Sequence, residues 1–143
     1  MTTTPRHSVS VAGVVFDDAG RVLLIRRRDN DQWQAPGGVL ELDETFEEGV
    51  AREVLEETGA RVEAQRLTGV YRNLTKGVVA LVYRCRVVGG ALSPTAESSE
   101  VAWVGVEEAA SRMSPAFAIR ILDARGGAMS EPASRSHDGY WIL

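Results

Sequence analysis

One stretch of the chain, residues 44–58, changes the hydrophobic period from that of strands to that of a helix. Its apolar residues recur at helical spacing and form one stripe: Phe46, Val50, Ala51, Val54 and Leu55. Gly59 follows, in the position where glycine commonly ends a helix. The segments on either side alternate or are rich in β-branched residues, as strands are. A helix inserted early among strands predicts a mixed α/β domain.

The flanking segments supply the strands and the remaining helices. Strands are predicted at Ser8–Phe16, Arg21–Arg27, Val62–Arg72, Gly77–Val88 and Glu100–Val104. Asp17–Gly20 has the residues of a tight turn, which predicts a hairpin between the first two strands. Two further helices are expected at Glu107–Met113 and Ala116–Arg125.

The length of 143 residues predicts one domain, which we place at residues 1–125. Residues 126–143 are expected to be a C-terminal tail, partly mobile because Gly126–Gly139 is polar and contains Gly, Ser and Pro. The last four residues, Tyr140–Leu143, are apolar, so we expect them to dock on this domain or on a second copy. A homodimer is therefore a possible partner arrangement.

Composition and charge exclude several classes of protein. No window approaches eighteen consecutive apolar residues, which argues against a membrane-spanning helix. Met1–Arg6 lacks the apolar stretch of a secretory signal, so a cytoplasmic location is expected. Cys85 is the only cysteine, which excludes a disulfide framework. The net charge of −4 argues against nucleic acid or an anionic membrane as a partner, although a metal cation can mediate binding of an anionic substrate.

Three carboxylates break the ordinary rules of helix design. Glu53, Glu56 and Glu57 lie at i, i+3 and i+4, so they share one arc of the predicted helix. Glu56 and Glu57 also stand in the last turn, where the helix dipole disfavours negative charge. Clustered carboxylates suit Mg²⁺ or Mn²⁺, which often bridge protein carboxylates to substrate phosphates. A solvated acidic face is the alternative interpretation of the same three residues.

The surrounding residues decide between these interpretations. Gly38 is followed after five residues by Glu44 and after seven more by Arg52-Glu53-Val54-Leu55-Glu56-Glu57-Thr58-Gly59-Ala60. This pattern resembles the Nudix box, Gly-x5-Glu-x7-Arg-Glu-U-x-Glu-Glu-x-Gly-U, where U is a bulky aliphatic residue, and all seven fixed positions match. Two departures are Asp43, where glycine usually precedes the first box glutamate, and Ala60, where a larger aliphatic residue is usual.

The resemblance implies a fold and a reaction. It implies a Nudix-type α/β/α sandwich with a mixed β-sheet, and metal-dependent hydrolysis of a diphosphate bond in a nucleotide derivative such as a nucleoside triphosphate, ADP-ribose or a nucleotide sugar. The implied ligands of Mg²⁺ or Mn²⁺ are Gly38, through its carbonyl, and Glu53, Glu56 and Glu57. Arg52 would pair with Glu44 and hold Glu53 ionised.

The general base and the phosphate-binding residue stay open. Glu53 is one candidate for the base, and an acid from a later segment, Glu97 or Glu100, is another; of these two, Glu100 is preferred because it leads into Trp103. Arg26 and Arg27 are candidates for gripping a substrate phosphate, since guanidinium binds phosphate oxygens in a fork. Strand alternation sends the two arginines to opposite faces.

Two alternatives to a hydrolase remain. One is a Nudix-like sensor that binds a nucleotide without cleaving it; such domains commonly lose box carboxylates, and this chain keeps them. The other is an isomerase of isoprenoid diphosphates, which requires a catalytic cysteine. Cys85 lies inside a predicted strand, where an inert core thiol is expected.

Overall fold

Eight strands and three helices make up residues 3–143, the part of the chain that this computed structural model describes. The strands are β1 (Ser8–Phe16), β2 (Val22–Arg27), β3 (Trp33–Gln34), β4 (Gly37–Val39), β5 (Ala60–Asn73), β6 (Val78–Gly90), β7 (Ser98–Val104) and β8 (Ala133–His137). The helices are α1 (Phe46–Thr58), α2 (Val106–Ser111) and α3 (Pro115–Asp123), and none of them is both long and apolar enough to span a membrane. The N-terminal prediction falls partly on Met1 and Thr2, which lie outside the described residues.

All eight strands belong to one mixed sheet. Its order is β3-β2-β1-β6-β5-β8, with β4 paired to β1 and β7 paired to β2. The β1–β6 and β5–β8 pairs are parallel, and the others are antiparallel. The predicted hairpin is present, with β1 and β2 paired at Phe16 and Val22. Further along β1, β4 pairs with residues Ser10–Ala12 instead, which brings Gly37 and Gly38 into the middle of the sheet.

Helices cover both faces of the sheet, which confirms the predicted α/β/α sandwich. Successive residues of a strand point to opposite faces, and β1 shows this clearly. Val11 and Val15 pack with Val50 and Val54 of α1 on one face. Val14 packs with residues of α2 and α3 on the other face. The functional helix α1 is thus held against β1 through a buried aliphatic interface.

The ends of α1 are fixed by local hydrogen bonds. The helix begins at Phe46 rather than at the predicted Glu44, because Thr45 is the N-cap and forms a capping box with Glu48. Gly59 ends the helix with φ of 83°, as predicted. A side chain at Gly59 would also collide with the carbonyl oxygen of Ala91. Glu44 consequently lies outside the helix, in the loop that precedes it.

Loss of the N-cap should weaken α1. We expect Thr45→Ala to lower the free energy of unfolding by about 1 kcal/mol, because the backbone N–H of Glu48 loses its acceptor. Urea denaturation would measure the change. Thr45→Ser keeps the hydroxyl and serves as the control; equal destabilisation by both substitutions would contradict a capping role.

The prediction of a tail separate from the domain is wrong for residues 133–143. Ala133–His137 form β8, which pairs in parallel with Gly69–Asn73 of β5, and His137 is fully buried. Arg135 forms a two-bonded ion pair with Asp123 of α3, at 2.8 Å for each bond. Sequence periodicity missed this strand because backbone pairing and an ion pair hold it, rather than an apolar face.

The apolar end of the chain docks on its own domain. The N–H of Ala116 donates to the carbonyl of Tyr140, and Ile142 forms a bridge with His137. The side chains of Tyr140, Trp141 and Leu143 remain exposed. Of the two docking modes predicted for this segment, the structure shows the one within the chain.

Candidate active site

The acidic side of α1 faces β4 across a cleft with a volume of about 600 Å³, called the acidic cleft below. The cleft forms where β4 pairs with β1 and α1 packs over the sheet, so its floor is backbone and its wall is helix. Its lining residues are Ser10, Arg27, Arg28, Asp29, Gln34, Gly37, Gly38, Val39, Glu53, Glu57, Ala96 and Glu97.

Two of the predicted carboxylates are buried side by side in this cleft. Glu53 is 8% exposed and Glu57 is 3% exposed. The N–H of Gly37 donates to Glu57 Oε1 at 2.8 Å. Burial raises the pKa of Glu57 to about 8, and the neighbouring carboxylates Glu53 and Glu97 add to the rise, while the Gly37 hydrogen bond opposes it. Burial and the neighbouring carboxylates therefore favour the protonated form of Glu57 at neutral pH.

Gly38 lies directly against Glu53. A Cβ atom at Gly38 would sit 2.6 Å from the carboxyl carbon of Glu53. This contact is too close for any side chain, so only glycine allows the backbone of β4 to approach the carboxylate. The predicted ligands Gly38, Glu53 and Glu57 are thus brought together.

Arg52 connects the box loop to the helix, as the sequence predicts. Its Nε and Nη2 donate to the two carboxylate oxygens of Glu44, at 2.9 and 2.6 Å. Its Nη1 donates to Glu53 Oε1 at 2.8 Å. Hydrogen bonding from Arg52 lowers the pKa of Glu44 to about 2, so this ion pair persists through the physiological range.

Glu56 stands apart from the other two carboxylates. Its side chain is 54% exposed, and its nearest cation is Arg52, with Nη1 3.4 Å from Glu56 Oε2. Within residues 3–143, no three acidic, histidine or cysteine side chains converge on one point as a ready-made metal cage. The positively charged Arg52 Nη1 lies between the carboxylates of Glu53 and Glu56.

The two candidate phosphate-binding arginines point in different directions. Arg27 lines the acidic cleft, where it pairs with Asp29 through Nε at 2.8 Å. Arg26 lies on the other side of β2, where it bonds to Asp31 and Glu100. Arg27 is therefore the member of the pair that a substrate in the cleft would meet.

The preference for Glu100 over Glu97 needs correction. Glu97 lines the acidic cleft, whereas Glu100 is exposed and paired with Arg26, 3.2 Å away. The physical reason is a register shift between β2 and β7, in which Arg26 faces Glu100 but Arg27 faces Ser98. Glu100 therefore follows Arg26 to the face that points away from the cleft.

Cys85 belongs to the core. It is 1% exposed in β6 and packs in the same apolar cluster as α1. Burial raises the pKa of its thiol to about 12, so it stays protonated at neutral pH. The isomerase interpretation lacks the reactive cysteine that it requires.

Sequence reasoning missed several residues near the site. Ser10 and Gln34 line the cleft, and Arg120 of α3 lines a smaller pocket that opens beside it. Ser10 and Gln34 carry no signal, because neither belongs to a motif. Arg120 does carry one, since it is a charged residue among the apolar residues of α3, whose only other charged residue is Asp123 at its end.

Comparison with known proteins places this geometry in a family. The sequence model described as the NUDIX domain matches residues 6–124. A "MutT-like protein" from Streptomyces ambofaciens is 59% identical over 142 residues, covering 99% of this chain and 91% of that protein. An "ADP-ribose pyrophosphatase" from Methanocaldococcus jannaschii is 36% identical over 100 residues, covering 65% of this chain and 59% of that protein.

A solved structure shows the same fold over most of the chain. The NUDIX hydrolase from Nitrosomonas europaea superposes with a TM-score of 0.80 at 25% identity. The match covers 94% of this chain and 82% of that protein.

Proposed function

The chain belongs to the NUDIX domain family and is a Nudix-type pyrophosphohydrolase, and from this membership we propose that it hydrolyses the diphosphate bond of a nucleotide derivative with the help of Mg²⁺ or Mn²⁺. The observation that carries the proposal is the buried pair Glu53 and Glu57 beside Gly38 in an open cleft. Nucleoside triphosphates, nucleotide sugars and ADP-ribose, the compound named for the archaeal relative, are the substrates to test first.

The residues of the cleft fit a hard divalent cation. Glu53, Glu56, Glu57 and the carbonyl of Gly38 would hold it, and oxygen donors of this kind suit Mg²⁺ and Mn²⁺. Burial, helped by the nearby Glu53 and Glu97, raises the pKa of Glu57, and a bound cation would stabilise its ionised form. When bound, the ion neutralises phosphate oxygens and makes water a better nucleophile.

The protein's own residues position the rest of the reaction. Arg52 holds Glu53 in place through the 2.8 Å bond and ties the loop at Glu44 to the helix. Arg27 faces the cleft and would bind a phosphate oxygen by exchanging its bond with Asp29. A carboxylate at the cleft wall would accept the proton of the attacking water, and both Glu53 and Glu97 are placed there.

Two substitutions test whether Glu97 or Glu100 is the general base. We expect Glu97→Gln to lower kcat about a hundredfold if Glu97 accepts the proton. Glu100→Gln should leave kcat within about twofold, because Glu100 faces away from the cleft and bonds to Arg26. Steady-state kinetics on both variants would decide. No loss in Glu97→Gln would contradict this role for Glu97 and leave Glu53 as the base, whereas a large loss in Glu100→Gln would point to Glu100 instead.

Turnover itself is tested with a substrate panel. Phosphate release is measured from nucleoside triphosphates, ADP-ribose, nucleotide sugars and dinucleoside polyphosphates, each with Mg²⁺, Mn²⁺ or a chelator, and with a phosphatase to report nucleotide products. Cleavage that requires the metal is the expected result. Thermal stabilisation by one compound without cleavage of any would instead indicate a nucleotide sensor.

Location and assembly stay predictions. A homodimer followed from the apolar residues Tyr140–Leu143, which contact their own domain, and gel filtration of the full chain would measure its mass.

A further inference from the structure

A small inner pocket opens from the acidic cleft. Its volume is about 150 Å³, below the range of pockets that enclose a whole drug-sized ligand. It shares Ser10, Arg27, Gln34, Gly37 and Gly38 with the cleft, so the two spaces are continuous. A ligand whose phosphates occupy the cleft would place an attached ring in this inner pocket.

The walls of the inner pocket are mostly apolar. Ala80 and Val82 of β6 form the sheet side, and Met113 and Phe117 lie on the side of α3. Apolar walls with an aromatic ring suit a planar heterocycle, whose faces contact side chains while its edge is left for polar groups. Arg120 lies at this pocket as well.

Arg120 is a half-buried arginine that lacks a polar partner within residues 3–143. Its Nε is buried and has no hydrogen-bond acceptor within residues 3–143, and no carboxylate of that region lies within 4.0 Å of its guanidinium. The guanidinium instead lies over the rings of Phe117 and Tyr71, with centroids at 4.5 and 5.1 Å. Burial lowers the pKa of Arg120 to about 10, which still leaves it protonated at neutral pH. Buried polar groups without partners are uncommon and call for a ligand or another explanation.

The hydrogen-bonding groups of the Arg120 guanidinium indicate which nucleobase the inner pocket would bind. Arginine only donates hydrogen bonds, so its partner must present acceptors. Guanine presents two adjacent acceptors, O6 and N7, which arginine binds in a fork. Adenine presents an N6 amino donor beside N7, which would face the arginine donors and be disfavoured.

We propose that the inner pocket binds the base of a guanine nucleotide, and that Arg120 is a specificity-determining residue that donates to O6 and N7. The inference rests on the proposed function for the placement of the phosphates in the acidic cleft. The base pocket itself needs neither metal nor turnover to be tested.

Binding of mononucleotides tests the proposal directly. GMP, AMP, ribose 5-phosphate and inorganic phosphate are titrated calorimetrically into the metal-free protein. We expect wild type to bind GMP at least about tenfold more tightly than AMP. Arg120→Met should remove that preference by weakening GMP and leaving AMP unchanged. Arg112→Met is the matched control, because Arg112 is also an arginine over an aromatic ring, Trp33, outside the inner pocket.

A second variant separates recognition from folding. Arg120→Lys keeps a positive charge without the fork, so it should retain a cooperative thermal transition and still lose the preference for GMP. Equal binding of GMP and AMP by wild type, no measurable GMP binding, or a preference unchanged in both Arg120 variants would overturn the proposal. Competition by ribose 5-phosphate or inorganic phosphate that depends on Arg120 would overturn it too, since the pocket would then be an anion site.

Kinetics distinguish the failure of this inference from that of the proposed function. If GTP and ATP are hydrolysed with equal kcat/KM in wild type, the inference fails and the hydrolase stands. If no nucleotide is hydrolysed but GMP binding depends on Arg120, the hydrolase fails and the base pocket stands. When both hold, Arg120→Met should raise KM for GTP with little change in kcat.

Discussion

Glu57→Gln should abolish most of the activity while leaving the protein as stable as wild type or more so. Glu57 is 3% exposed, and burial already disfavours its charged form. Glutamine keeps an oxygen that accepts the 2.8 Å bond from Gly37 and removes the charge. We expect kcat to fall by at least about a hundredfold, because the cation site loses a charged oxygen ligand and the substrate phosphates are then neutralised less effectively. Initial rates check the predicted loss of activity, and thermal unfolding of the same preparation checks the predicted stability.

The pH dependence of stability is a second test of the prediction that burial disfavours the charged form of Glu57. Because the folded-state pKa of Glu57 is raised to about 8 from 4.5, the folded protein holds a proton there that the unfolded chain has released. Stability contributed by this group is therefore present below about pH 4.5 and is lost as the pH rises toward 8. In chelator, Tm of wild type should fall over this range more steeply than Tm of Glu57→Gln. Parallel pH profiles would contradict the burial argument.

Gly38→Ala should inactivate the protein without unfolding it. The added Cβ would meet the Glu53 carboxyl group at 2.6 Å, so the carboxylate or β4 must shift. A displacement of about 1 Å in a catalytic group typically lowers the rate about a hundredfold, and we expect a loss of that size in kcat/KM. Activity at several Mn²⁺ concentrations would show a weaker apparent metal affinity as well.

Gly105→Ala is the matched control for this substitution. A Cβ at Gly105 has no atom within 4 Å, and its backbone has φ of −58°, which alanine adopts readily. It should therefore keep wild-type kinetics. Equal losses in the two variants would mean that Gly38 acts through general stability rather than through its contact with Glu53.

The sandwich could be predicted from sequence because each layer has a periodic apolar pattern. Val50 and Val54 mark the buried stripe of α1, and Gly59 marks its end. The strand Ala133–His137 has no such pattern, because Ser134, Arg135 and Ser136 carry polar side chains that the sheet edge tolerates. Its pairing depends on β5, more than sixty residues earlier, and no local signal records that contact.

Within the site, the sequence predicted the carboxylates of α1 but not which of the later acids, Glu97 or Glu100, lines the cleft. The spacing of Glu53 and Glu57 placed both in the cleft, because α-helical geometry fixes which residues share a face. The choice between Glu97 and Glu100 depended on the register shift opposite Arg26 and Arg27, a tertiary feature. Arg120 joins the site only because α3 packs across the sheet from α1.

The parallel pairing of β8 with β5 has a consequence for synthesis on the ribosome. Residues 69–73 emerge from the ribosome before the strand that covers their edge, which follows more than sixty residues later. The nascent chain thus carries an open sheet edge, the kind that templates association between chains, until residues 133–137 have emerged. Chaperones that shield extended segments have most to protect in that interval, and a ribosome stalled before residue 133 would release a chain that cannot close its own sheet.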